Sequence, residues 1–175
     1  MAVELSRFLD EQLDELPEAH PDRKFLEGIR SKTQTYLSHR YPTPYSKGGF
    51  LRAGLHIAEY FTAARVGSRL DPDRIVRLLN NPVLTESTIG YGNCLLEGIR
   101  REGDDSTVHL CLPRGVLNSL QRGGINTIPQ LREKLSSVGA ICSIGSFGLA
   151  TIINSLDTFD KLRVAEVEAT NRPVL

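Results

Sequence analysis

Apolar residues recur at helical spacing through most of this chain, and the breaks between them carry helix-start and helix-stop chemistry. Residues 3 to 15 place Val3, Leu5, Phe8, Leu9 and Leu13 on one side of an expected helix, with Glu4, Asp10, Glu11, Asp14 and Glu15 on the rest. "EAHPDR" interrupts it. A second helix is predicted from about Asp22 to His39, with Phe25, Leu26, Ile29 and Leu37 apolar, ending before the Pro- and Gly-rich "YPTPYSKGG". A third is predicted from near Phe50 to about Val66 on Leu51, Leu55, Ala58 and Phe61, and a short fourth after Asp71, with Pro72 in its first turn. "TESTIGYGNCLLEGIRREGDD" suits a fifth, weakened by Gly90 and Gly92 at roughly 1 kcal/mol each against alanine. Arg101 to Thr107 reads as a linker, and only "TVHLCL" carries a strand signal.

Past that linker the punctuation becomes denser. In "LPRGVLNSLQRGGINTIPQL", Leu112 to Leu131, Pro113 opens a helix carrying Val116, Leu117 and Leu120, and Gly123-Gly124 close it. Ile125 and Ile128 turn back toward a core, while Thr127 is placed to cap a next helix that has Pro129 in its first turn and Leu131 and Leu135 on its apolar face. In "ICSIGSFGLATIINSL", Ile141 to Leu156, Gly145 and Gly148 bracket Ser146 and Phe147 at the start of a helix carrying Leu149, Ile152, Ile153 and Leu156. Amides at such a start face outward, as phosphate-binding helix termini do.

Over roughly Val108 to Leu156 these hairpins resemble the C-terminal domain of the bacterial RNA polymerase alpha subunit, a compact helix-hairpin-helix relative that touches promoter DNA and transcription factors. "NSLQRGGINTIPQL" is similar to that family's Asn-x-Leu-x-x-x-x-Ile-x-Thr-Ile/Val-x-x-Leu run, and "IGSFGL" to its Leu-Gly-Lys-Lys-Ser-Leu turn. Asn118 and Gly145 match. The family's groove-entering arginine falls on Gly115, with Arg114 one position displaced; its two lysines fall on Ser146 and Phe147, its serine on Gly148, and its acidic contacts to sigma factor on His109 and Cys111. The core pattern is kept while the charged contacts, which supply much of the affinity for phosphates, are gone. The resemblance therefore implies a repurposed copy, with Arg114, Asn118, Ser119, Gly145 and Ser146 as the expected nucleic-acid-binding residues.

Charge sharpens the picture of the first half. The whole chain is neutral, with 21 basic and 21 acidic residues, so no bulk attraction for nucleic acid exists. Residues 1 to 22 hold seven acids against Arg7, whereas 23 to 52 hold seven bases against Glu27. Tyr36, Tyr41, Tyr45 and Phe50 interleave with those bases, a mixture suited to stacking on bases and neutralising phosphates, with Arg30, Lys32, Arg40 and Arg52 as candidate contacts. The plainer reading is that the acidic first helix folds against the basic second one through weak surface pairs.

Catalytic patterns are poor. His20, His39, His56 and His109 are scattered, and His56 and Glu59 stand without a second pair of ligands. "STIGYGN" lacks the lysine of a phosphate loop, and Ser143 and Ser146 have no activating base nearby in sequence. Cys94, Cys111 and Cys142 suit neither a disulfide framework nor a metal knuckle. No apolar run nears the roughly 18 residues of a membrane span, and the acidic start is unlike a secretory signal. The expectation is an all-α cytoplasmic protein: a helical module over 1–104, a compact helix-hairpin-helix-like domain over 105–158, and a tail over 159–175. It is expected to be non-catalytic, free of cofactor and metal, and bound to DNA, RNA polymerase or another transcription protein. The rival expectation is a protein-interaction adaptor or homo-oligomeric scaffold that binds no nucleic acid.

Overall fold

Leu9 and Leu13, one turn apart, lie on the inner face of helix α1 (Ala2–Glu15), and Leu26 and Ile29 face them from α2 (Arg23–Ser38); all four are buried. The computed structural model describes residues 2–38, 57–80, 84 and 86–171. Pro17 and His20 turn the chain between the two helices, and Arg23 reaches back so that its Nη1 donates to the carbonyls of Leu13 and Leu16 at 2.8 and 2.7 Å. A base of the positive segment thus serves the carbonyl end of the acidic helix. Arg30 Nε meets Asp10 Oδ1 at 2.8 Å, so the charge contrast read in the sequence pairs, at least here, within the fold.

Helix α3 (Ile57–Thr62) stacks Tyr60 on Phe8 of α1, with ring centroids 5.3 Å apart. Burial pushes the Tyr60 phenol up to about 12. The third helix does not run on to Val66 as expected: a two-stranded antiparallel hairpin follows, β1 (Arg65–Val66) and β2 (Arg69–Leu70), turning at Gly67-Ser68 with Gly67 at φ +58°. Residues 50–56 of that expected helix lie outside the described residues. Asp71 then caps α4 (Pro72–Leu79) by accepting from the Asp73 amide, with Pro72 in the first turn.

Helix α5 (Glu86–Glu102) does form across both glycines, and Gly92 is there for close approach. A Cβ on Gly92 would lie 2.5 Å from Leu79 Cδ2 and 2.8 Å from the Phe61 ring tip, whereas one on Gly90 would meet nothing nearer than the Arg114 guanidinium at 3.8 Å. Gly90→Ala is therefore expected to stabilise the fold by up to about 1 kcal/mol through propensity alone. Gly92→Ala gains the same propensity but overpacks a buried contact and should destabilise by about 1–3 kcal/mol. Urea unfolding of the two variants checks the contrast in sign.

Arg101 to Thr107 is not a linker. It completes α5, passes through a 3₁₀ turn at Gly103–Asp105, and buries Ser106 and Thr107. "TVHLCL" begins with a second 3₁₀ turn, Thr107–Leu110, rather than a strand; its Thr107 amide donates to the Asn126 carbonyl at 2.9 Å, next to an isolated bridge between Ser106 and Thr127. Four helices follow: α6 (Arg114–Arg122), α7 (Ile128–Glu133), α8 (Val138–Ile141) and α9 (Ser146–Thr170). Thr127 and Gln130 form a reciprocal capping box on α7. Leu117, Leu120, Ile125, Leu131, Val138 and Ile152 are fully buried between these helices.

The architecture is all-α, with one short hairpin among the described residues. The core does not stop at residue 104: Phe61, Tyr91 and Leu95 belong to the same apolar cluster as Val108, Leu117 and Ile152. Nor do residues 159–170 form a tail. α9 runs unbroken to Thr170, burying Phe159 and Leu162, and Glu166 Oε1 and Oε2 accept from the Ser68 amide at 2.8 Å and hydroxyl at 2.7 Å in the hairpin turn.

Candidate nucleic-acid interface

Two elements meet where the sequence placed its binding residues. Pro113, held at φ −49° and ψ 140°, precedes α6, which carries Arg114, Asn118 and Ser119. Ser143, at φ +52°, turns the chain into Gly145, the extended residue from which α9 starts. Gly148 leaves room for the turn that precedes it, since a Cβ there would lie 2.5 Å from Ile144 Cγ2, and would stand in ordinary contact, 3.6 Å, with Val116 Cγ2 of α6. The first turn of α9 therefore sits beside Val116, in the first turn of α6.

At that start the first helical bond runs from the Leu149 amide to the Gly145 carbonyl, no side chain caps the turn, and no acid lies in it. The amides of Ser146 to Gly148 carry the positive end of a 25-residue helix. Gly145 and Ser146 are exposed, and Phe147 is 82% exposed, the highest value for any large apolar side chain described. Arg114 is exposed, its Nη1 donating to the Ser87 hydroxyl at 3.2 Å and carbonyl at 3.3 Å, which leans it toward α5. Asn118 and Ser119 are half-buried, and Arg122 spans them, donating to the Asn118 carbonyl and the Ser119 hydroxyl at 3.4 Å each.

The basic candidates of the first half do not join this surface as one patch. Arg30 is paired with Asp10. Lys32 lies on α2, with its side chain outside the description, and Arg40 and Arg52 lie outside the described residues.

Beneath the α9 surface lies a polar junction that the sequence did not signal. Arg65 of β1, its side chain 2% exposed, sets Nη1 3.2 Å from Asp22 Oδ2 in the α1–α2 connection and donates from Nη2 to the His109 carbonyl at 3.3 Å. His109 is buried too. Its Nδ1 accepts from the Leu70 amide at 3.0 Å, which leaves the Nε2 proton to donate to the Gly103 carbonyl at 2.9 Å. Both nitrogens are satisfied only in the neutral ring. Burial, with Arg69 and Arg65 adding to it, holds the His109 pKa below its ordinary 6.5, and burial lowers His20 likewise. Cys111, at φ +50°, lies beside Arg65 with its thiol pushed up by burial, so it is no reactive thiolate.

The sign of the histidine effect is fixed by these directions. With folded pKa values below 6.5, their contribution to stability is fully present above that pH and is lost as pH falls through the folded values. Urea midpoints are expected to hold constant between about pH 7 and 8 and to fall below about pH 6, with a shallower fall in His109→Gln. A midpoint that rose on acidification would contradict the neutral, buried ring.

Among the described residues no cluster of His, Cys, Asp or Glu is built to hold a metal, and no helix is long and apolar enough to cross a membrane. Comparison with protein-family models, with characterised proteins and with solved structures returns no match for this chain.

Proposed function

We propose that this chain is a non-catalytic, transcription-associated binding protein, whose α6–α9 unit, similar to the RNA polymerase alpha C-terminal domain, approaches the DNA backbone and tethers it to the rest of the chain. One observation carries the reading: the uncapped start of α9, with exposed Gly145 and Ser146, lies beside Val116 of α6, the helix that also carries Arg114, Asn118 and Ser119. Amides and hydroxyls position a phosphate but add no counterion release, so affinity is modest and blind to sequence.

Anisotropy titrations of the whole chain with duplex DNA at several salt concentrations test this. The parent is expected to bind weakly, with a shallow salt dependence and no preference among sequences. Gly115→Arg with Ser146→Lys places two cations on exposed positions, where nothing lies within 4 Å of a Cβ on Gly115. That pair should tighten binding and steepen log K against log[salt] by about two units. Sequence-selective binding by the parent at physiological salt, or no gain in the double variant, would overturn the proposal.

A second reading is favoured by Phe147, a bare aromatic ring at the turn where the resembled family carries a lysine. In that reading the unit is an adaptor for RNA polymerase, for another transcription protein or for a second copy of the chain. Capture of RNA polymerase subunits by a chain that duplex DNA does not retain would select it.

A further inference from the structure

A groove of about 350 Å³ runs from Phe147 down the side of α9 to the buried junction. Its α9 wall is a stripe at helical spacing, Phe147, Thr151, Asn154, Ser155 and Thr158, about 17 Å long at 1.5 Å per residue. The stripe is half-buried at Thr151, Ser155 and Thr158 and exposed at Phe147 and Asn154, and it presents hydroxyls and a carboxamide. Thr151 bonds its own helix at the Phe147 carbonyl, but Asn154, Ser155 and Thr158 have no side-chain hydrogen bond among the described residues. Arg65, Asp22 and Cys111 line the floor.

That floor identifies the ligand chemistry. Arg65 is nine-tenths buried, yet its Nε–H has no hydrogen-bond partner, and Asp22 Oδ2, though paired with Arg65 Nη1 by charge, is not in hydrogen-bond geometry either. A buried donor left unpaired costs about 1–3 kcal/mol, so a ligand that supplies its acceptor recovers that loss. Asp22 repels an anion at this depth and Arg65 repels a cation, so the fitting group is neutral and offers a donor and an acceptor side by side. The edge of a nucleobase does so, and its flat face suits the exposed Phe147 ring at the mouth. The volume is at the small end for ligand sites, room for one nucleotide.

We propose that the groove between α9 and the Arg65–Asp22 floor accepts one unpaired nucleotide, its base stacked on Phe147 and its polar edge met by Asn154 and the floor. This deepens the nucleic-acid reading above and rests on it: the backbone is held at the start of α9, and a base that is not paired in a duplex enters the groove. The base comes from a single strand or from a free nucleotide.

The test uses the whole chain and an eight-nucleotide single strand carrying 2-aminopurine, the matching duplex, and adenosine monophosphate. The strand is expected to bind more tightly than the duplex, with the 2-aminopurine fluorescence quenched by stacking. Phe147→Ala should weaken strand binding about tenfold and remove the quench, and Asn154→Ala should weaken it severalfold. Both residues are exposed, so thermal midpoints should match the parent, and Asn154→Ala, two turns from the start of α9, should leave duplex affinity within about twofold. Adenosine monophosphate binding with the same sensitivity to both variants supports the groove and identifies a free nucleotide as its source. Strand binding that Phe147→Ala leaves unchanged, or ribose competing as well as the nucleotide, overturns the groove. Duplex binding without strand preference leaves the backbone reading standing and removes this one; strand binding in the groove without duplex binding does the reverse.

Discussion

Replacing Arg65 by alanine is expected to lower the free energy of unfolding by about 3–5 kcal/mol, because it strips a buried charge pair of one partner. The side chains of Arg65 and Asp22 are 2% and 15% exposed, so little water reaches either. Arg65→Ala also frees the His109 carbonyl, in a turn where the His109 ring already holds the Leu70 amide and the Gly103 carbonyl. The loss therefore joins three places distant in sequence: the α1–α2 connection, the hairpin and the 3₁₀ turn before α6. Asp22→Asn should be destabilising in its turn, since it leaves the guanidinium without a counter-charge. Arg65→Met with Asp22→Asn should cost clearly less than the two single losses added together, since neither charge is then stranded. Urea unfolding of the three variants beside the parent settles the matter. A loss under about 1 kcal/mol for Arg65→Ala would mean that water solvates the pair as at a surface.

What the sequence disclosed, and what it withheld, divides along the range of the interactions. Thr127 with Gln130, Asp71 with Pro72, and Gly123-Gly124 fix their helix ends through neighbours within four residues, and each was readable. The amphipathic faces of α1 and α2 were readable for the same reason, and the acid–base contrast between them was in part the Asp10–Arg30 pair. Arg65, by contrast, looks like any solvated base until Asp22 and His109, 43 and 44 residues away, are brought to it. Gly92 looked like a weakness in α5, because its reason lies in Leu79 and Phe61. Val66-Gly67-Ser68-Arg69 did carry a local hairpin signal, a two-residue turn with Gly first, but the helical period of Ala58 and Phe61 obscured it. The sequence located α6 and the start of α9 as helices, but not the exposure of Phe147 or the groove beneath it. Both are set by packing between helices rather than along one.

Ending the chain at Thr158 is expected to damage the whole fold. The period that runs through Ile152 and Leu156 continues to Phe159 and Leu162, which are 3% and 8% exposed. Phe159→Ala alone should cost about 3–5 kcal/mol. Truncation removes that ring, Leu162 and the Glu166 carboxylate together. Without Glu166 the Ser68 amide and hydroxyl lose their acceptors, in the same hairpin that carries Arg65 to the junction. Since whole domains are stable by only about 5–15 kcal/mol, a chain of residues 1–158 should lose most of its stability or its cooperative transition. Residues 105–158 in isolation should fare worse, lacking both this end of α9 and the residues of α3 and α5 that complete the core. Glu166→Ala separates the contributions: it keeps Phe159 and Leu162 and should cost only about 1–3 kcal/mol for the lost hydrogen bonds. If the 1–158 chain unfolded at the parent's urea midpoint, the last three turns of α9 would be an appendage to a core that closes without them, and Arg65, the Leu70 amide on His109 and the Arg69–Asp104 pair would hold the hairpin without Glu166.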